Sequence, residues 1–534
     1  MTAVLLKITG GTVYDPANGI DGVVRDLWIS GGKLVEAPSD SETRPARTID
    51  AKGLIVMPGG VDMHCHIVGS KVNAARMMCP EHGEIVPTTT STGLRYAGLG
   101  YTTAFDAAIA PLAARHAHEE LVDTPCIDRG FFALMGNNHY IMRAIRQNEP
   151  ERLKAFVGWL LDASKGFGAK LVNPGGVENW KNRPEGNARD LDARVDHFEV
   201  TPGQILASVA RAVDELRLPH PVHVHTLNLG LPGNWTTTLQ TMKRLEGHRA
   251  HLAHIQFHSY DGGDGDESTF GSKVGPLVEY LNDHPNLTAD VGQIVFGPAI
   301  GMTADGPVGH FLGRLYGSKW YSNDIEQETG CGVAPIEYRN TTAVHAWQWA
   351  IGLEWFLRTR DPWQIAMSTD HPNGGSFLAY PRIIKLLMDA TFRKDTLATL
   401  PAEVREQSVL RDLDRQYSLS EIAIITRAGP ARMLGLTNKG HLGLGADADV
   451  TIYTPDPDPE VMFALPRYVI HRGLVVVEQG EIRETTRGRT LHVEPDYDRG
   501  VEPDIQKWFE GSYSIQWRNY PVEADTIGES EVVP

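Results

Sequence analysis

Hydrophobic and polar positions follow three successive rhythms along the chain. Up to about residue 57, short apolar or β-branched runs alternate with glycine punctuation. These are Val4 to Ile8, a Gly10-Gly11 break, Asp26 to Ile29, a Gly31-Gly32 break, and Lys33 to Glu36. That spacing predicts a small antiparallel sheet with hairpin turns. From Leu54 the rhythm becomes strand then helix. After the run that ends at His66, further strand-like runs fall at Tyr101 to Asp106, Gly130 to Met135, Ala169 to Asn173, Pro221 to His225, Ala250 to Gln256, Leu287 to Ile294 and Ile365 to Asp370. Helical spacing appears between several of them, at Glu151 to Lys165, Thr201 to Leu216 and Thr236 to Leu245. After a helix-like stretch, Ser420 to Leu434, strand patterns return at Gly440 to Tyr453 and Tyr468 to Val477.

Eight β units alternating with helices imply α/β architecture with a closed parallel (β/α)8 barrel of the TIM type. The expected organisation is a small β-sandwich domain from residues 1–57 plus 436–484, the barrel over 58–435, and a C-terminal packing or subunit-contact arm over 485–534. The arm carries Trp508, Phe509, Tyr513, Trp517 and Tyr520. Two intervals, 174–200 and 258–345, are too long for plain crossovers and are expected to form lids or partner surfaces. The second contains an acidic loop, Asp261 to Glu267, whose spacing is not that of an EF-hand and which reads as solvated.

In a β-strand alternate side chains share a face, so His64 and His66 in Gly59-Gly60-Val61-Asp62-Met63-His64-Cys65-His66 point together. Two imidazoles at the end of a buried strand make half a site for a divalent metal such as zinc. Barrel chemistry sits at the C-terminal strand ends. Those ends supply His64 and His66, then Lys170, His225, His254 and Asp370. All are metal-ligand types except Lys170, and a bare ammonium would repel cations. Converted by CO2 to a carbamate, Lys170 would be an anion able to bridge two metal ions. His223 shares the face of His225 but lies deeper, alternation places His251 on the face opposite His254, and His258 falls beyond the strand end. Any one of these residues has an ordinary structural reading, Asp370 as a helix cap for instance. Six of them in strand order point to a metal centre.

Composition narrows the rest. Of 534 residues 41% are hydrophobic and 22% charged, enough for a large globular core. Fifty Lys and Arg against 67 Asp and Glu leave a net charge of -17, which argues against nucleic-acid or anionic-membrane binding. Cys65, Cys79, Cys126 and Cys331 are scattered, so neither a disulfide framework nor an iron–sulfur cluster is expected. With no signal-peptide pattern and no apolar run near the ~18 residues of a membrane span, the expected location is the cytoplasm.

IDAKGLIVMPGGVDMHCHIVG resembles the first barrel strand of the amidohydrolase superfamily, and KGHLGLGADADVTIYTPDP its return to the small β-sandwich. The order HxH, Lys, His, His, Asp is similar to the binuclear subtype that includes dihydroorotases, hydantoinases and urease, and GAKLVNPGG resembles its carboxylated-lysine strand. KLVNPGGVENW, HVHTLNLGLPGNW, HIQFHSY, STDHPNGGSFLAYPRII and SIQWRNYPV resemble one branch, the A subunits of formylmethanofuran dehydrogenases and of bacterial formyltransferase/hydrolase complexes. The resemblance implies hydrolysis of an N-formyl amide on a methanofuran-type carrier, or the reverse condensation, in one-carbon metabolism. It implies two divalent metal ions, zinc foremost, bridged by carboxylated Lys170, with Asp370 as general base and then general acid. Asn173 and Asn228, just past strand ends, are candidate substrate contacts. Expected partners are tungstopterin-type or other complex subunits together with a formyltransferase-like subunit. The alternatives are the A subunit of a CO2-reducing formylmethanofuran dehydrogenase, a hydantoinase- or dihydroorotase-like cyclic amidohydrolase, and a non-catalytic scaffold of the same fold.

Overall fold

The computed structural model describes residues 5–39, 44–79, 81, 83–182, 187–263, 269–317, 328 and 332–534. Cys331, Val4 and most of the acidic loop, residues 264–267, lie outside the described residues.

Eight parallel strands form the barrel: β1 (Gly60–Cys65), β2 (Tyr101–Ile109), β3 (Asp128–Leu134), β4 (Gly168–Val172), β5 (Val222–His225), β6 (Ala250–Leu252), β7 (Leu287–Asp290) and β8 (Ile365–Ala366). Neighbours pair in sequence order from β1 to β8. Closure falls just past β8, where Cys65 bridges to His371, the His66 N–H donates to the His371 carbonyl at 2.7 Å, and the Ser368 hydroxyl donates to the His64 carbonyl at 2.9 Å. Every residue of β2 and β3 is buried, as parallel strands covered on both faces require. The helices Pro150–Ser164, Pro202–Glu215 and Trp235–Arg244 stand where helical spacing placed them.

Three strands are shorter than their apolar runs suggested. β6 stops at Leu252, β7 at Asp290 and β8 at Ala366. Beyond β6 the chain enters the helical turn Ile255–His258, whereas the segments after β7 and β8 stay side by side, the Val291 N–H donating to the Ala366 carbonyl at 3.2 Å and the Gln293 N–H to the Ser368 carbonyl at 2.8 Å. Past the strand ends the apolar run marks burial, as at Val291, Ile294 and Met367.

Both chain ends build a nine-stranded sheet, from strands between Leu6 and Pro58 and between Val450 and Ile482. It encloses its own core of Ile8, Val13, Ile29, Val56, Val450 and Ile470. The sheet is mixed and not purely antiparallel, because Leu6–Asp15 pairs in parallel with Arg47–Asp50 and Ile55–Pro58. Gly10-Gly11 is a bulge inside one continuous strand, marked by a register shift between Ile8 and Gly11. A Cβ on Gly11 would lie 2.4 Å from Val56 Cγ2, so the residue is glycine because the neighbouring strand passes there.

The tail adds strands Thr490–His492 and Ser530–Val532 beside β3. Its aromatics pack on the helix Pro150–Ser164, where Trp159 stacks on Trp517 and Tyr520 at centroid distances of 5.0 and 5.5 Å. Barrel, small sheet and tail meet at a buried charge cluster. Lys439 Nζ lies 2.7 Å from Asp128, 3.1 Å from Asp447 and 2.8 Å from Asp449, and Arg489 pairs with Asp128 and Asp447.

The described residues of the interval 258–345 are largely structured. Its helix Val274–Asp283 precedes β7, and an antiparallel hairpin, Gly297–Thr303 with Gly332–Tyr338, follows it. The hairpin is pinned to the segment after β8. The Met302 N–H donates to Asn373 Oδ1 at 2.7 Å and the Tyr338 hydroxyl to the Asn373 carbonyl at 3.0 Å.

Candidate functional site

The C-terminal ends of the strands open into a cavity of about 790 Å³. His64, His66, Lys170, His225, His254, Asp370 and Asn228 line it, beneath a wall from the inserted hairpin that includes Met302 and Tyr338. Alternation along β1 brings His64 and His66 to the same side, as the spacing predicts. Asp370 Oδ1 sits between them, 3.2 Å from His64 Nε2 and 3.1 Å from His66 Nε2. His254 packs edge-on to His225 with centroids 4.8 Å apart, and its ring is 5.1 Å from His64. Ligand atoms of His64, His254 and Asp370 all lie within 4.8 Å of one another.

His254 reaches this position by a route that strand periodicity misses. It follows the end of β6 with φ +33° and starts the short helical turn Ile255–His258. Gly292 makes room for it, since a Cβ there would lie 2.6 Å from His254 Cβ. Because the strand has ended, parity no longer applies. His251 also points into the barrel, 3.1 Å from Asp290 Oδ2, and not to the opposite face. His258, although it falls past the strand end, joins His225 and His254 in a cluster with ligand atoms within 4.8 Å. Asn173, Asn228, His254 and Asp370 all have φ between +33° and +62°. Left-handed backbone at non-glycine residues costs free energy and gathers at sites where side-chain direction matters.

Several polar atoms here are buried without a hydrogen-bond partner among the described residues: His64 Nε2, Lys170 Nζ, His225 Nε2, His254 Nδ1 and Asp370 Oδ1. Buried polar groups are nearly always paired, so five orphans from separate strands facing one space require an explanation. Imidazole nitrogens, a carboxylate oxygen and a carbamate, were the lysine carboxylated, form the donor set of a divalent cation such as zinc. The residues present fit that group.

Electrostatics sharpen the picture. Burial pushes the Lys170 amine down to about 7, against the opposing pull of Asp290 and Asp370. Burial alone would raise Asp370, but the His254 and His64 imidazoles hold it well below the usual carboxylate range. Burial also takes His254 and His258 well below ordinary histidine values.

Three acids that no sequence motif singles out also stand at the site. Asp290, at the end of β7, accepts from the His254 N–H at 2.9 Å and faces His64 Nδ1 at 2.8 Å. Asp106, on β2, accepts from the Ile67 and Val68 N–H groups at 2.8 and 3.1 Å, fixing the turn after His66. Asp305, beyond the hairpin strand Gly297–Thr303, lies 3.3 Å from His225 Nε2. The strand-end rule could have found Asp290 and Asp106, but nothing local marks Asp305. The candidate substrate contacts separate. Asn228 lines the cavity, its amide donating to the Arg189 carbonyl at 2.7 Å and to Thr237 Oγ1 at 3.0 Å. Asn173 donates to Asp305 Oδ1 at 3.0 Å and to Asn187 Oδ1 at 3.1 Å, outside the cavity lining.

The sequence pattern of the amidohydrolase family matches residues 47–477. The chain is 41% identical to the protein FwdA of Methanocaldococcus jannaschii, across 98% of both chains. It is 40% identical to the A subunit of the formyltransferase/hydrolase complex Fhc of Methylorubrum extorquens, across 95% of both. Among solved structures, a chain of the FhcABCD complex from Methylorubrum extorquens, crystallised with methylofuran, superposes with a TM-score of 0.94 at 38% identity, covering 99% of this chain and 100% of that one. An N-acyl-D-glutamate deacylase from Bordetella bronchiseptica shares the fold at 16% identity, with a TM-score of 0.51 over 91% of this chain and 98% of that one.

Proposed function

The chain belongs to the amidohydrolase family, and on that premise we propose that it hydrolyses an N-formyl amide on a methanofuran-type carrier, releasing formate and the free carrier amine. Two divalent ions, zinc foremost, would be held by His64, His66, carboxylated Lys170, His225, His254 and Asp370. The observation that carries the reading is the set of five unpartnered buried donor atoms converging from separate strand ends. The likeness to one chain of a complex crystallised with methylofuran supports the carrier class. The same likeness supports assembly with further chains, among them a formyltransferase-like subunit, and the proposal includes a place in one-carbon metabolism in the cytoplasm. Among the described residues no helix is long and apolar enough to cross a membrane.

Bound divalent ions would supply Lewis-acid polarisation of the formyl carbonyl and a water that ionises near neutral pH. The protein's own residues do the remainder. Asp370, whose Oδ1 is free of hydrogen bonds and whose carboxylate is ionised, accepts the proton of the attacking water and returns it to the departing amine. An amine cannot leave as an anion near neutral pH, so this second transfer is as necessary as the first. The backbone turn that carries Asp370 is held by the Ser368 hydroxyl, which accepts from the Asp370 N–H at 2.7 Å, and by the Asn373 N–H, which donates to the Asp370 carbonyl, also at 2.7 Å. Asn228, with an unpartnered Oδ1 on the cavity wall, orients the substrate. Asn173 acts at one remove, by fixing Asp305 beside His225.

The test is formate release from a formylated furfurylamine-type carrier by zinc-loaded protein, run beside a hydantoin and dihydroorotate. Faster turnover of the cyclic amides would move the chain to that branch of the family. Absence of stoichiometric metal and of all three activities would leave a scaffold.

A further inference from the structure

Behind the site a continuous buried row of imidazoles leads to His64, and its other members have no part in the mechanism above. His220 Nδ1 is 2.8 Å from the Met433 carbonyl, and His220 Nε2 is 3.0 Å from His223 Nδ1. His223 Nε2 is 3.2 Å from His64 Nδ1, which is also 2.8 Å from Asp290 Oδ2. His251 flanks the row, with Nε2 3.1 Å from Asp290 Oδ2 and Nδ1 2.8 Å from Thr288 Oγ1. His64, His220, His223, His251 and Asp290 are all fully buried.

The two ends of the row dictate where its hydrogens lie. A carbonyl only accepts, so His220 carries its hydrogen on Nδ1 and presents a lone pair at Nε2. His223 must then donate through Nδ1, which leaves Nε2 as an acceptor. From the other end, the Asp290 carboxylate only accepts, so His64 directs Nδ1–H and His251 directs Nε2–H toward it. The Thr288 hydroxyl donates to the remaining nitrogen of His251. Both ends give the same assignment at His64, a hydrogen on Nδ1 shared between His223 Nε2 and Asp290 Oδ2. The opposite tautomer of His223 would set two N–H groups against each other. Every nitrogen of His220, His223 and His251 has a partner, and the one nitrogen of the row without a hydrogen-bond partner among the described residues is His64 Nε2, which faces Asp370.

We propose that His220 and His223 are positioning residues that lock His64 in its Nδ1–H tautomer, so that the Nε2 lone pair is presented to the cation site. The proposal rests on the metal-dependent reading above. Asp290 by itself supplies one acceptor, which leaves the imidazole plane free to tilt. A second acceptor on the same N–H fixes the plane, and His223 can play that part only while His220 holds its tautomer. Outer partners of this kind orient a ligand histidine and raise its basicity. The row ends on the helix Gly429–Met433, so the presentation of His64 depends on how the last helix of the barrel seats against it.

The test uses the full-length chain in two forms. In metal-free protein labelled with 15N-histidine, long-range 1H–15N spectra should place hydrogens on Nδ1 of His64, His220 and His223 and on Nε2 of His251. A His64 signal of the Nε2–H type overturns the proposal, and this reading needs no bound metal. Zinc affinity is then measured by chelator competition for wild type, His223→Phe, His220→Phe and His223→Gln, with thermal melts confirming folding. The phenylalanine variants should bind zinc about 10-fold or more weakly. The glutamine amide can both donate to His220 and accept from His64, so that variant should stay within about threefold of wild type, where a loss of mere packing would not be rescued. Unchanged zinc affinity in folded His223→Phe overturns the proposal. Failure of wild type to take up zinc would instead overturn the metal-dependent reading, while the tautomer spectra still decide this one.

Discussion

Lys170 offers the sharpest test of the site chemistry. Only a neutral amine attacks CO2 to form a carbamate. At pH 7.5 an ordinary lysine is neutral in about one molecule in a thousand, whereas an amine with a pKa of about 7 is neutral in roughly three-quarters. Burial therefore raises the reactive fraction by a factor of several hundred. The sign follows directly: raising pH deprotonates the amine, so carbamate formation in metal-free protein should climb with a midpoint near 7 and flatten above about pH 8. The assay is the growth of a 13C carbamate resonance after adding 13C-labelled bicarbonate to metal-free protein at a series of pH values, corrected for the dissolved CO2 at each. Lys170→Ala serves as the blank and should lose both that resonance and the tighter retention of a second zinc ion. A carbamylation midpoint near the ordinary lysine value, or two tightly held ions in Lys170→Ala, would refute the reasoning.

Other outcomes follow from the same geometry. Asp370→Asn keeps an oxygen donor but cannot move a proton, so kcat should fall by roughly 10²–10⁴ while zinc remains bound; a loss of under tenfold in formate release would remove Asp370 from the proton path. Dialysis against a chelator should abolish activity and lower the melting temperature, and free zinc at 100 times its Kd should restore about 2.7 kcal/mol of stability. Lys439→Met removes the ammonium that three buried carboxylates share and should cost roughly 3–5 kcal/mol in urea unfolding at neutral pH. Burial would raise Asp128 and Asp447, but Lys439 and Arg489 hold both below the usual range, so the stability they contribute is complete above about pH 4 and lost as pH falls further. Lys439→Met should therefore also move acid unfolding to higher pH, as followed by circular dichroism.

Legibility of the sequence follows how local the cause is. On β1, one alternation rule puts His64 and His66 on one face, and the same rule orders His223 below His225 on β5. It fails in the turn after Leu252, because left-handed backbone at His254 ends the parity on which the face assignment of His251 depended. The Gly10-Gly11 pair reads as a break because glycine marks breaks and bulges alike. Only the passage of Val56 across Gly11 shows which of the two is present.

Taken alone, the sequence determined the succession of strands and helices, the return of the small sheet, and the candidate ligands at strand ends, since each depends on side-chain period and type within a few residues. Tertiary structure decided which groups stand behind those ligands. Asp290 beneath His64, Asp305 beside His225, and the path from Met433 through His220 and His223 join residues as much as 226 positions apart. No local pattern encodes such meetings, because they arise only when the barrel closes and groups distant in sequence are brought side by side.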